Sequence, residues 1–289
     1  MIDDETIRTD SETIEDIRII TNNTGKSNLR QKSEELKRFV VAGKLPDGKM
    51  SHEERQERAH GNLRWLLQYL LSRRLNALSL HPIYVDIIRE LNYSLGSRHR
   101  VSVIGLTLMQ AGGIFKKCML IDEDEFHGQT KVAHGTGSVI KKYLQDLGTF
   151  LGSLTLAQNE PIRSCYLNLK QILFEGAAVK NSRLAVAFVC RILKESVHSQ
   201  VFTPHNPWVK SLLGLLREVY DIQHSVQDVQ VTMEIETLVR GLGLLRVHDI
   251  QPIGLLNDIY HNVPKILQER QHLLAMKRMI MPPNGADVQ

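Results

Sequence analysis

The chain has 289 residues, of which 42% are hydrophobic, and 36 Lys and Arg against 32 Asp and Glu give a formal net charge of +4. This length and composition suffice for one large folded domain or two small ones. The small positive excess is unlike the concentrated charge of a strong nucleic-acid binder. The chain also contains no apolar run of the ~18 residues that a membrane span needs, and its acidic first residues, MIDDETIRTDSETIED, are unlike a signal peptide.

The first part of the chain predicts short helices separated by polar segments. Residues 1–10 are expected to be a disordered tail, and helices are predicted over 11–20 and 28–41. Two glycines and a proline in 43–50 (GKLPDGKM) predict a loop.

Three longer helices are predicted next. The first covers 51 to 73 or 74, and Ser51 with Glu54 has the spacing of a capping box. The second covers 81–96 and the third 97–120, followed by a polar loop. Glycines in the third helix indicate a kink or a tight crossing; they are Gly105, Gly112 and Gly113.

The stretch from Lys141 to Trp208 carries a strong amphipathic pattern. Leu144, Leu147 and Leu151 form one apolar stripe at helical spacing. Gly148 and Gly152 lie four residues apart, so a neighbouring helix is expected to approach closely there. The helices predicted in this stretch and beyond it cover 137–156, 167–176, 182–199, 206–224 and 229–242, and the segments 249–260 and 264–279 follow.

Prolines mark the breaks between these helices, since proline lacks an amide proton and disfavours helix in the residue before it. Pro161 and Pro204 are the predicted breaks. Pro207 suits the first turn of the next helix, with Asn206 as its cap and Trp208 packed in the core.

Strand signals are nearly absent, so the predicted fold class is all-α. Helix pairs recur at about 35–45 residues, which is typical of an α-solenoid of the HEAT type. An irregular helical bundle is the alternative. The predicted organisation is one HEAT-type domain over 11–260, a C-terminal helix over 261–280 that packs on or extends it, and a disordered tail over 281–289.

A search for catalytic chemistry gives no convincing site. The run Thr24–Ser27 resembles the end of a phosphate-binding loop, but Ile20 occupies the position of the required glycine. His127 and His134 share a loop with acids, without the spacing of a metal site. No cofactor, no metal and no enzymatic activity are therefore predicted. The three cysteines, Cys118, Cys165 and Cys190, are expected to be reduced thiols of an intracellular protein.

Direct RNA binding is the alternative function. The basic clusters are short and scattered, and aromatic residues make up only 6% of the chain. Trp65 and Trp208 are more typical of a core than of base-stacking platforms. An uncharacterised hydrolase is the weakest of the three hypotheses.

Three long motifs, in order, carry a resemblance to a known family. They are SNLRQKSEELKRFV, YLQDLGTFLGSLTLAQNEPI and VAFVCRILKESVHSQVFTPHNPWVKSLLGLLREVYD. They resemble the middle domain of the large Not scaffold subunit of the CCR–NOT deadenylase complex, a member of the helical superfamily of translation initiation factor four-G. The resemblance runs with gaps from about residue 17 to about residue 260. Two segments resemble insertions, 43–50 and 126–136, and His205 replaces a proline common in the family.

The resemblance implies a stack of about five HEAT-like antiparallel helical pairs and a non-catalytic scaffold. The implied partners are a Caf-type DEDD deadenylase, the C-terminal RecA-like lobe of a DEAD-box helicase whose ATPase the scaffold can stimulate, and other complex subunits through flanking regions. It implies a cytoplasmic location, with mRNA-processing granules and the nucleus as further places, and the isolated domain is expected to be monomeric and not bound to membranes.

The resemblance and the solvent-facing positions together give two candidate surfaces. The deadenylase is predicted to bind Arg64, Gln68, Tyr69, Arg73, His81, Tyr84 and Ile88. The helicase is predicted to bind His134, Ser138, Lys141, Lys142, Asn159, Arg163 and His205. A structural role is predicted for Gly148, Gly152, Pro161, Asn206, Pro207 and Trp208.

Overall fold

The computed structural model describes residues 35, 52–73, 75, 78–99, 102–119, 136–178, 182–225 and 228–256. This part of the chain contains helices, turns and irregular segments and no strand, so the all-α prediction is confirmed. Several predictions lie outside the described residues. They concern the N-terminal tail over 1–10, the insertion segment over 43–50, residues 126–135 of the other insertion segment, the C-terminal helix over 261–280 and the tail over 281–289.

Eight α-helices lie in the described residues, and short 3₁₀ turns join some of them. The α-helices are α1 His52–Arg73, α2 His81–His99, α3 Val103–Met119, α4 Thr136–Leu154, α5 Leu169–Ala178, α6 Ser182–Lys194, α7 Pro207–Ser225 and α8 Val229–Gly241. The 3₁₀ turns are Leu78–Leu80, Leu156–Gln158, Glu195–His198 and Val247–Asp249.

The helix bounds follow the predicted signals, with three exceptions. The helix predicted over 97–120 begins only at Val103. Asn206 caps α7 as predicted, because its Oδ1 accepts a hydrogen bond of 2.9 Å from the Trp208 amide, and Pro207 is the first helical residue. The predicted end of α2 at Gly96 is wrong, since the helix continues to His99. The predicted helix 182–199 is also too long. The α-helix α6 ends at Lys194, and the chain then forms a 3₁₀ turn over Glu195–His198.

The chain divides into two compact units. The first contains the described residues up to Asn168 together with 190–203, and the second contains 169–189 and the described residues from Pro204. Sequence neighbours pack on each other within a unit, as α2 does on α3 and α7 on α8. This is the pairing predicted for HEAT-type repeats. The number of pairs and the domain boundaries stay predictions.

In the first unit, α1 to α4 enclose a core of leucine and phenylalanine. Leu66, Leu67, Phe115 and Phe150 are at most 1% exposed. Gly105 of α3 lies directly against the Tyr166 ring, where an added Cβ would come within 2.7 Å. The glycine-rich helix predicted a tight crossing, and Gly105 provides it.

Gly152 gives the first unit a second close contact. A Cβ on this residue would lie 2.6 Å from the Ile192 carbonyl oxygen and 2.7 Å from Glu195. The close approach predicted from Gly148 and Gly152 is therefore confirmed at Gly152, and Gly148 is buried. It holds α4 against the end of α6 and its 3₁₀ turn.

In the second unit, α7 packs on α5 and α8. The Glu218 carboxylate of α7 is 6% exposed. It accepts hydrogen bonds from the amides of Ile253, Gly254 and Leu256, at 2.7, 2.5 and 2.7 Å. These charge-assisted bonds satisfy three backbone donors at once and fix the segment after α8 on the side of α7.

Within the described residues, no helix is long and apolar enough to cross a membrane.

Candidate protein-binding surfaces

Part of the predicted deadenylase surface lies on the outer face of α1. Arg64 is exposed, and Gln68 and Tyr69 are half-buried. The Tyr69 ring stacks on Trp65, with centroids 5.3 Å apart and planes 7° from parallel. Trp65 is itself half-buried, so it is a surface aromatic that the core assignment missed. Its signal in the sequence is the spacing of four residues from Tyr69.

Three residues assigned to the deadenylase surface are buried, which corrects the prediction. His81 is 5% exposed, and Tyr84 and Ile88 are 0% exposed. The His81 Nε2 atom lies 2.8 Å from the Leu75 carbonyl oxygen, and its ring meets Phe150 edge-on at 5.4 Å. Neighbouring helices cover α2 on several sides, so these side chains stabilise the core. The Arg73 side chain lies outside the described residues.

Three of the residues predicted for the helicase lie together in one open groove. Ser138, Lys141 and Lys142 of α4 form one wall of a groove of about 510 Å³ in the first unit. Its other lining residues are Leu78, Gln145, Asp146, Thr149, Arg191, Lys194 and Glu195. We call this the α4–α6 groove. Arg191 and Lys194 were not predicted, although their spacing of three residues places them together beside the apolar stripe of α6.

The α4–α6 groove carries more basic than acidic side chains. Lys142 and Lys194 are exposed, and Lys141 and Arg191 are half-buried. Of the two acids, Asp146 is 8% exposed. The Glu195 carboxylate accepts a hydrogen bond of 3.0 Å from the Ser153 hydroxyl. Four cations against two carboxylates leave the groove positive.

Asn159 has a structural role that the helicase prediction did not anticipate. Its backbone is left-handed, with φ of 62°, at the end of the Leu156–Gln158 turn. Its Oδ1 accepts hydrogen bonds from the Ser199 hydroxyl and the Gln200 and Val201 amides, at 2.9, 2.9 and 3.1 Å. The side chain thereby joins the LAQNEPI and SQVF segments.

The other predicted helicase residues are not part of the α4–α6 groove. Arg163 is exposed but does not line the groove. His205 is exposed and belongs to the second unit. His134 lies outside the described residues.

The predicted structural residues behave as expected with one exception. Pro161 lies in the irregular segment between the 3₁₀ turn at 156–158 and α5, as a helix break should. Trp208 is only half-buried, so its predicted place in the core is wrong. Two residues after the cap, Trp208 lies at the edge of the core that Val209 and Leu212 enter.

Within the described residues, burial raises the pKa of three ionisable groups. It raises the pKa of Tyr143, with a smaller contribution from Cys118, and the Tyr143 hydroxyl donates a hydrogen bond of 2.9 Å to the Leu71 carbonyl. Burial also raises the pKa of the Cys118 thiol. Burial and then the hydrogen bond to Glu236 raise the pKa of Tyr220. In the described residues, no cluster of His, Cys, Asp and Glu is suited to hold a metal ion.

Residues 128–265 match the family model described as the CCR4-NOT transcription complex subunit 1 CAF1-binding domain. This match covers just under half of the chain, and over these residues the chain is similar to the CCR4-NOT subunit 1 family. The α4–α6 groove falls within the matched residues except for Leu78, whereas the α1 surface falls outside them.

Relatives in three organisms extend this match. General negative regulator of transcription subunit 1 of Saccharomyces cerevisiae is 25% identical over 246 residues, which cover 84% of this chain and 10% of that protein. The Schizosaccharomyces pombe protein of the same name is 34% identical over 122 residues, 42% of this chain and 6% of that protein. CCR4-NOT transcription complex subunit let-711 of Caenorhabditis elegans is 25% identical over 285 residues, 96% of this chain. The chain spans about a tenth or less of each relative.

Proposed function

We propose that this chain is a non-catalytic scaffold segment of a cytoplasmic CCR4-NOT complex and that it docks a CAF1-type deadenylase for mRNA decay. The observation that carries this proposal is the CAF1-binding family match over 128–265. The helical pairs support it, because a stack of preorganised helices offers a partner a large surface without an ordering cost in the scaffold.

The deadenylase proposal is tested by calorimetry with the purified chain and a CAF1-type deadenylase. Arg64→Glu with Tyr69→Ala changes the outer face of α1, where Arg64 is exposed and Tyr69 half-buried. This pair replaces any test at Tyr84, since Tyr84 is fully buried and its loss would destabilise the fold. We expect tight binding by the native chain and about tenfold weaker binding by the variant, as interface aromatics often act as hot spots. No binding by the native chain would overturn the proposed function.

A second docking proposal concerns a DEAD-box helicase of translational repression and the stimulation of its ATPase. It is supported by Ser138, Lys141 and Lys142, which line the α4–α6 groove together. Cations at a rim contribute to association rate and specificity more than to affinity. A scaffold that prefers the competent arrangement of the two helicase lobes stimulates hydrolysis without supplying a catalytic residue.

The helicase proposal is tested with Lys141→Glu plus Lys142→Glu against the isolated C-terminal lobe. We expect weaker, salt-sensitive binding and loss of ATPase stimulation, while deadenylase binding is retained. The matched control is Lys116→Glu plus Lys117→Glu, which reverses two exposed lysines on α3 outside the groove. Equal losses in both variants would mean that net charge, and not the groove, determines binding.

A further inference from the structure

We infer that the α4–α6 groove binds an acidic peptide segment of a protein partner. The first observation is its shape. A volume of about 510 Å³ falls within the ~300–1,000 Å³ typical of ligand sites. The groove is open along the surface, which suits an extended chain.

The second observation is the arrangement of charge. Lys141 and Lys142 on α4 face Arg191 and Lys194 at the end of α6, so basic side chains line both walls. Lys142 and Lys194 are exposed and able to follow a partner carboxylate. The lysine ammonium is a flexible point charge, and the arginine guanidinium is a rigid fork with five donors. Together they can bind partner carboxylates at more than one position along the groove.

The third observation separates a peptide from a nucleic acid. None of the residues that line this groove is aromatic, so it offers no platform for stacking bases. Asp146 and Glu195 also line it, and a phosphodiester linkage carries no hydrogen-bond donor for these acceptors, whereas a peptide backbone carries an N–H at nearly every residue. The same carboxylates, with Gln145 and Thr149, provide acceptors for the amides of a peptide.

The fourth observation is an apolar residue at the edge of the groove. Leu78 lies in the turn before α2 and is 52% exposed. It provides a contact for an apolar side chain that flanks the acidic residues. The groove is therefore suited to an acidic segment with a hydrophobic neighbour.

This inference deepens the helicase-docking proposal and rests on it for the biological partner, but its test does not require the helicase. The probe is a fluorescein-labelled peptide of eight alternating Asp and Glu residues followed by one Leu. Fluorescence anisotropy measures its binding to the native chain at low and at physiological salt. A peptide of the same length with Asn and Gln in place of the acids is the ligand control.

The decisive variant is Lys142→Glu with Lys194→Glu, since both side chains are exposed and their reversal leaves the core intact. We expect binding of the acidic peptide to weaken about tenfold or more at low salt, and by less at physiological salt, because salt screens the charges that the variant reverses. Lys116→Glu with Lys117→Glu, which makes the same change in net charge on α3, is expected to retain binding. Circular dichroism and thermal unfolding establish that both variants are folded.

The outcomes separate this inference from the docking proposals. If the helicase lobe binds in the groove but the acidic peptide does not bind, the inference is wrong and the docking proposal stands. Equal binding by the neutral peptide overturns it too, since charge would then be irrelevant. Displacement of the acidic peptide by poly(A) at physiological salt, with loss of poly(A) binding in the groove variant, would make the groove a nucleic-acid site and would also overturn it.

Discussion

At the scale of single residues, several side chains determine how the irregular segments are held. Asn159 supplies one oxygen to three donors and adopts a left-handed backbone that asparagine tolerates better than most residues. Glu218 accepts from three amides in the second unit, two at Oε1 and one at Oε2. Both are polar side chains whose local sequence gives no indication of their distant partners.

Asn159→Ala should therefore destabilise the protein. The change removes the acceptor of three hydrogen bonds and places alanine in a strained left-handed conformation, for an expected loss of about 2–3 kcal/mol in the free energy of unfolding. Asn159→Asp retains an acceptor oxygen and should cost less, whereas Asn159→Gly relieves the strain but not the lost bonds. Urea unfolding measures all three. An alanine variant as stable as the native protein would contradict the structural role of Asn159.

Tyr143 should make stability fall at alkaline pH. Burial raises its pKa above the ordinary value of 10.0, so the native protein holds this proton more tightly than the unfolded chain does. The protonated Tyr143 hydroxyl therefore contributes to the free energy of unfolding. This contribution is complete below about pH 10 and is lost as the pH rises above that value. Tyr143→Phe should reduce this decline in unfolding experiments between about pH 8 and pH 11, while losing the hydrogen bond to Leu71 at every pH. Tyr93→Phe, at a side chain that is 77% exposed, is the control. An unchanged pH slope in Tyr143→Phe would contradict this account.

At the scale of elements, local sequence signals predicted where the helices lie better than they predicted what packs around each helix. Caps and prolines gave the start of α7 because both act within a few residues. The apolar spacing of α2 identified a helix but did not reveal that Tyr84 and Ile88 are fully enclosed. That depends on which neighbours cover the helix, and a periodic pattern within one helix contains no such information. Trp208 shows the opposite error, since it was predicted to be in the core and is only half-buried.

The packing of α4 on the end of α6 predicts opposite effects of alanine at two glycines. Gly152→Ala would place a Cβ 2.6 Å from the Ile192 carbonyl oxygen, and a loss of about 1–3 kcal/mol is expected because a backbone must move. Gly113→Ala on α3 meets no atom within 4 Å and should gain about 0.5–1 kcal/mol from helix propensity. Thermal unfolding of the two variants measures the difference. If Gly152→Ala is as stable as Gly113→Ala, the close crossing is absent in solution.

At the scale of the whole molecule, the family match and the predicted deadenylase surface lie in different parts of the chain. The family model named for CAF1 binding matches 128–265, whereas the predicted deadenylase residues lie in α1 and α2. Both candidate surfaces also lie in the first unit, where the Tyr143 hydroxyl of α4 bonds to the Leu71 carbonyl of α1. The sequence predicted the family resemblance and the all-α fold, but a family motif does not show which exposed side chains a partner contacts.

Simultaneous binding decides between one shared surface and two. If the deadenylase uses the outer face of α1 and the helicase lobe the α4–α6 groove, saturating the chain with deadenylase should change the Kd of the helicase lobe by no more than about twofold. The expectation follows because the two surfaces share no residue, and coupling between separate sites requires a differential effect of one partner on the state that the other binds. Calorimetric titration of the helicase lobe into the chain, with and without deadenylase, measures this change in Kd. Arg64→Glu with Tyr69→Ala provides the control in which the deadenylase should no longer bind.

Full competition between the partners, together with loss of deadenylase binding in Lys141→Glu plus Lys142→Glu, would place the deadenylase in the groove, inside the residues that the family model matches. The assignment of α1 to the deadenylase would then be wrong.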